Sequence, residues 1–172
     1  ILGLELRRNM NFKDGFFNND EAHQMELVKV IREYQPDIVL CNAVCDRHPD
    51  HSKASELTST SCFLAGLRKI ETGQQAWRPK VVYHYIQFNN INPDFVVDVS
   101  DFMEQKMLAV QAFSSQFYNP QSQEPHTIIS SQGFLDSIRY RAADLGRLSG
   151  VEYAEGFTVE KLPVINLLED LS

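Results

Sequence analysis

The sequence predicts an α/β fold built on a parallel sheet, and three features carry that expectation. Residues 21–34 have the apolar spacing of a helix, with Met25, Val28, Ile31 and Arg32 on one stripe widened by Leu27, Val30 and Tyr34. Gln35-Pro36-Asp37 stops that helix, and Ile38-Val39-Leu40-Cys41 follows as a short continuous apolar run. Such a run suits a strand covered on both faces, and helix, tight turn and buried strand make half of a βαβ unit. Third, the polar segment 42–51 comes directly after that strand's carboxyl end, where open α/β sheets bind ligands.

The elements follow in order. Asn18-Asn19-Asp20 is a capping cluster for the first helix. Ser52 to Leu67 reads as a second helix, with Ala54, Leu57, Ser61, Leu64 and Ala65 on one side. Residues 73–79 read as a loop, Lys80 to Phe88 as a strand and Phe95 to Val99 as another. Ser100 or Asp101 is expected to cap a helix reaching about Phe117, with Phe113 and Phe117 in the core. Tyr118 to Gln132, with Pro120 and Pro125, reads as a long loop able to cover a site. A last helix is expected from about Phe134 to Leu148, and Pro163 to Leu168 as a final short strand.

Composition narrows the class. The chain has 172 residues, 43 % apolar and 23 % charged, which suits one domain over residues 1–172. No apolar run approaches a membrane span of about 20 residues, and no basic-then-apolar leader is visible, so a cytoplasmic protein is expected. A formal charge of −7 with scattered basic residues argues against a nucleic-acid partner. Cys41, Cys45 and Cys62 cannot all pair, and they read as small apolar fillers kept reduced. The chain opens on Ile1-Leu2-Gly3-Leu4 rather than Met, so its true start is expected further upstream.

The chemistry concentrates in Asp46-Arg47-His48-Pro49-Asp50-His51. Pro49 stiffens the backbone and holds His48 extended, so the two imidazoles project in defined, different directions. His-x-x-His alone is weak, because a zinc site needs three protein ligands and an open position. By residue chemistry the set is incomplete.

That hexapeptide, followed by Ser52-Lys53-Ala54, resembles the second conserved motif of the PIG-L/LmbE-like deacetylases. Arg68-Lys69, the Tyr83–Phe88 strand, Pro93-Asp94-Phe95 through Asp98-Val99-Ser100, Ser115-Gln116-Phe117 and Tyr153-Ala154-Glu155-Gly156-Phe157 follow the order of the BshB-type, bacillithiol-pathway branch. The resemblance implies a Rossmann-like three-layer sandwich with a mostly parallel sheet. It implies a zinc enzyme that removes acetate from N-acetylglucosaminyl-malate, or from another N-acetylglucosamine derivative, and that forms a homo-oligomer. It also implies an upstream A-H-P-D-D strand, supplying two ligands and the base, which this sequence lacks. Without that strand the chain would be inactive, and a non-catalytic binding module is the alternative.

The same resemblance implies His51 as a metal ligand, against a structural histidine at a helix start. It implies His48 as the protonated group facing the oxyanion, against a supporting or capping role. Asp50 is expected to orient His48 or another ring through its N–H, as carboxylates do around metal sites, against a helix cap. Arg47 would meet a substrate carboxylate, against a surface pair with Asp46 or Asp50. Gln116 and Tyr85 would touch the sugar or simply shape the fold. His23, His84 and His126 are not expected to be ligands.

Overall fold

The computed structural model describes residues 1–167. Two compact units are present: Ile1–Asn9 with Val96–Gly156, and Met10–Phe95 with the segment from Phe157 on. The elements are helices α1 (Glu21–Tyr34), α2 (Pro49–Ala65), α3 (Met103–Gln111) and α4 (Gln132–Ser149), and strands β1 (Ile38–Cys41), β2 (Val81–Tyr85), β3 (Phe95–Asp98) and β4 (Ala154–Val159).

The strands form one sheet in the order β1-β2-β4-β3. The β1–β2 pair is parallel, with Val39 opposite Val82 and Cys41 opposite His84. The β2–β4 pair is antiparallel, with His84 opposite Thr158. The sheet is therefore mixed, not the mostly parallel, Rossmann-like sheet expected. Helix α2 returns the chain to the start of the sheet and leaves β1 and β2 parallel. The last strand, β4, then enters between β2 and β3 and runs against both. The bonds Asp94 N–H to Phe157 O (2.8 Å) and Val99 N–H to Tyr153 O (2.9 Å) step in opposite senses along the two strands, as antiparallel pairing requires.

In the unit containing α1 and α2, the stripe read from sequence is the packing face. Val28, Ile31, Cys62 and Ala65 are buried together, with Val39, Leu64, Ile70, Trp77 and Val82 around them. Full burial of each larger aliphatic side chain is worth roughly 1.5–3 kcal/mol, which is what holds α1 on α2. Asp20 caps α1 by accepting the His23 N–H at 3.1 Å, and Gln35 closes it in the left-handed region at φ 48°. Both boundaries match the sequence reading. Ile38 and Leu40, expected to be covered, are 59 % and 57 % exposed among the described residues.

In the other unit, Met103, Met107, Leu135, Ile138 and Ala142 form the core, with Val110, Phe134 and Tyr153 against it. Helix α3 stops at Gln111, six residues short of the expected Phe117, and the chain continues in tight turns through Phe113 and Gln116. Phe113 thereby leaves the helical stripe and is 55 % exposed, while Phe117 stacks on Phe134 with ring centroids 6.1 Å apart. Residues 163–167 form no strand, and Leu168 lies outside the described residues.

Gly146 marks the tightest approach in this unit. A Cβ there would stand 2.6 Å from the Glu152 carbonyl oxygen and 2.7 Å from that of Val151, both backbone atoms. Gly146→Ala is expected to lower the melting temperature, because overpacking costs about 1–3 kcal/mol. The helix propensity gained is only about 1 kcal/mol. A variant that melts at or above the parent would show that the 151–152 backbone yields freely.

Candidate active site

The sequence segment 42–51 becomes two structures: a loop from Asn42 to Arg47, and the first turn of α2. His48 is the N-cap, in extended conformation, and its Nδ1 accepts the Asp50 N–H at 3.2 Å. Pro49 occupies the first helical position, where its missing N–H costs nothing and its fixed φ suits the helix. The helix thus begins three residues before the expected Ser52. Its first turn carries Asp50 and His51.

The loop is stitched to the chain leaving β2. Gln87 Oε1 accepts both Asn42 Nδ2–H (3.0 Å) and Ala43 N–H (3.2 Å). Asp46 Oδ2 accepts the Phe88 N–H at 3.1 Å and Oδ1 accepts the Arg47 N–H at 2.5 Å. Asp46 Oδ2 also lies 3.0 Å from His51 Nδ1, and the Asp46 side chain is wholly shielded from solvent. Burial pushes the Asp46 carboxyl up, but the bonds from Phe88, His51 and Arg47 outweigh it and hold it below the usual carboxylate range. Its contribution to stability is therefore complete above the ordinary carboxylate pKa, and is lost only as pH falls through the lowered value.

These bonds fix two tautomers by donor arithmetic. A carboxylate only accepts, so His51 carries its proton on Nδ1 and leaves Nε2 as a lone pair. His48 Nδ1 accepts a backbone N–H, so the His48 ring proton stands on Nε2. The two rings lie 5.1 Å apart between centroids, tilted by 30°. The histidines expected to act together are adjacent, one presenting an acceptor and the other a donor.

Asp50 is placed differently from the sequence expectation. Its backbone N–H, not its carboxylate, meets His48, while Oδ2 accepts the Gly15 N–H at 2.5 Å and Lys53 Nζ stands 3.6 Å from Oδ1. Burial raises the Asp50 carboxyl, and the bond from Gly15 with the charge of Lys53 brings it below its ordinary value. The carboxylate that orients an imidazole is Asp46, which the sequence reading weighed only as a partner for Arg47. Its signal was available: it stands five residues before His51, in the loop that ends at the cap.

Arg47 is exposed and lies over the Phe88 ring, 5.1 Å from its centroid. Tyr85 ends β2, half-buried, its phenol pushed up by burial and by Cys41. Gln116 belongs to the other unit, exposed in the turn after α3, with its N–H on the Phe113 carbonyl. Cys41 and Cys62 are buried and their thiols are pushed up to about 12, Cys45 is exposed, and all three are free. Among the described residues no three His, Cys, Asp or Glu side chains converge as a metal set, and no helix is long and apolar enough to cross a membrane.

Residues 1–62 match the family described as PIG-L: GlcNAc-PI de-N-acetylase. A diacetylchitobiose deacetylase of Thermococcus kodakarensis is 29 % identical over 163 residues, covering 91 % of this chain and 57 % of the relative. The chain thus spans little more than half the length of that curated relative. Among solved structures, the conserved protein TT1542 from Thermus thermophilus is 30 % identical with a TM-score of 0.84, over 96 % of this chain and 70 % of that one. The N,N'-diacetylchitobiose deacetylase of Pyrococcus horikoshii superposes with a TM-score of 0.71 at 23 % identity, over 94 % of this chain and 60 % of that one, and shares the fold. With the motif built at the head of α2 and these likenesses, the chain belongs to the PIG-L family.

Proposed function

We propose that the protein is a zinc-dependent N-deacetylase acting on an N-acetylglucosamine derivative, with His51 as a metal ligand. The observation that carries this reading is the Asp46–His51 pair. Metal-ligating histidines almost always donate their second ring N–H to a carboxylate or carbonyl, which fixes the tautomer and raises the basicity of the ligating nitrogen. His51 has that arrangement, and its side chain is one-third exposed. His51 would fill one position of a zinc set; among the described residues no three His, Cys, Asp or Glu side chains converge on it.

Bound zinc would polarise the acetyl carbonyl and lower the pKa of its water to about 7. The chain's own residues contribute around it. His48 offers Nε2–H, held by its Nδ1 bond to the cap, as a fixed donor toward negative charge developing on the amide oxygen. Asp46 keeps His51 from rotating. Asp50 accepts the Gly15 N–H and so ties the turn at residues 14–16 to the first turn of α2. The deacetylase activity of the Thermococcus relative supports the reaction class. Three free thiols support a cytoplasmic setting, and exposed Phe102, Leu108, Tyr140 and Leu148 support self-association into a homo-oligomer.

Two substrates separate within the class. The curated relative points to a chito-oligosaccharide, whereas Arg47, exposed and stacked on Phe88, suits a carboxylate-bearing aglycone such as malate. Acetate release from diacetylchitobiose, N-acetylglucosamine and N-acetylglucosaminyl-malate, with and without zinc, tests both. A protein that binds zinc and releases acetate from none of them would end the deacetylase reading. For the malate conjugate, Arg47→Ala is expected to raise KM about 10- to 100-fold, the value of a hydrogen bond to a charged group. Equal losses on N-acetylglucosamine would remove the malate reading.

A further inference from the structure

His84 is buried, 4 % exposed, near the end of β2, and its ring is bonded on both sides. Nδ1 lies 2.8 Å from Ser55 Oγ, 3.1 Å from the Asn42 carbonyl oxygen and 3.2 Å from Cys41 Sγ. Nε2 lies 3.0 Å from Glu160 Oε1. A carbonyl oxygen only accepts, so Nδ1 carries the proton held between Asn42 and Ser55, and Nε2 faces Glu160. Two of the three Nδ1 partners are the informative ones, Asn42 and Ser55. Asn42 opens the loop that runs to the His48 cap. Ser55 follows His51 by four residues, one turn further along the same face of α2. One imidazole nitrogen therefore ties together the two segments that hold His51 and its carboxylate.

We propose that His84 is a positioning residue for the candidate site, acting through its Nδ1 to set the 42–46 loop against α2 and hence the Asp46–His51 bond. The proposal rests on the reading of His51 as a ligand. Burying an imidazole also stabilises the fold, so the test separates its two nitrogens. The amide of asparagine can replace the Nδ1 donor but does not reach Glu160. The amide of glutamine reaches the Nε2 position and vacates the loop–helix side.

The experiment uses the full-length protein. The His51 ring Nδ1 proton and nitrogen signals are recorded by NMR without metal, and zinc alone is then titrated by calorimetry. His84→Gln is expected to shift the His51 signals, speed exchange of the ring proton and weaken zinc about tenfold. His84→Asn is expected to keep the parent signals and affinity, whatever each variant does to the melting temperature. Identical behaviour of the two variants, or His51 signals that track stability alone, would overturn the proposal. If His84→Gln does not fold, Ser55→Ala removes only the helix-side partner, and unchanged His51 signals in it would overturn the proposal equally. If the parent itself binds no zinc, the ligand reading fails while the metal-free His51 signals still decide the positioning role.

Discussion

His51→Ala is expected to weaken zinc binding by roughly a hundredfold and to remove deacetylation with it. A four-ligand zinc site is worth roughly 10–16 kcal/mol, so one ligand's share is about 3 kcal/mol, or about a hundredfold in affinity. Asp46→Asn keeps the side chain's shape but exchanges a charged acceptor for an amide. Outer carboxylates on ligating histidines are worth about 10- to 100-fold in metal affinity, so this variant should fall between the parent and His51→Ala. Asp46 also receives the Phe88 and Arg47 N–H groups, and an amide has one acceptor oxygen where the carboxylate has two. Some loosening of the loop is therefore expected alongside the loss of affinity. The check is zinc calorimetry and acetate release on the same preparations. A His51→Ala protein that keeps full zinc affinity would remove His51 from the metal set and the proposed mechanism with it.

What the sequence revealed depended on whether the deciding contacts were local. Helix α1 and strand β1 were legible to the residue, because a cap cluster, a 3.6-residue stripe, a proline stop and an apolar run are all written within 25 neighbouring positions. The start of α2 was misplaced because Pro49 reads as a breaker, although at the first helical position it is compatible with the helix. Strand β4 had no local signature, since Glu155 and Gly156 interrupt it, and it exists through its pairing with β2 and β3. The direction of the sheet was hidden for the same reason, being set by the pairing of Tyr83–Tyr85 with Phe157–Val159, far apart in the chain. In the site, His48 and His51 stood out by residue type. Choosing between Asp46 and Asp50 as the orienting carboxylate required the loop's path, which turns Asp46 inward while the helix turns Asp50 toward Gly15.

Arg32→Ala is expected to be the costliest stability change away from the site, at about 3–5 kcal/mol from unpaired carbonyls and a cavity together. Arg32 sits on the apolar stripe of α1 and is 3 % exposed, an unusual place for a guanidinium. Its position is explained by four acceptors: the carbonyls of Ala65 (3.0 Å), Ile70 (2.7 Å) and Leu67 (2.8 Å), and Thr72 Oγ1 (2.7 Å). Helix α2 has no basic residue in its own last turn, so Arg32 supplies both the donors and the positive charge that its carboxyl end lacks. Truncation would leave buried carbonyls without partners, each worth about 1–3 kcal/mol, and would open a hole between α1 and α2. A domain with a total stability of about 5–15 kcal/mol would lose a large share of it. Arg32→Lys keeps the charge but presents donors from one point rather than a planar fork, so it should recover only part of the loss. Chemical denaturation of the parent and both variants gives the comparison directly. If Arg32→Lys were as stable as the parent, charge at the end of α2 would be sufficient and the four-way bonding incidental.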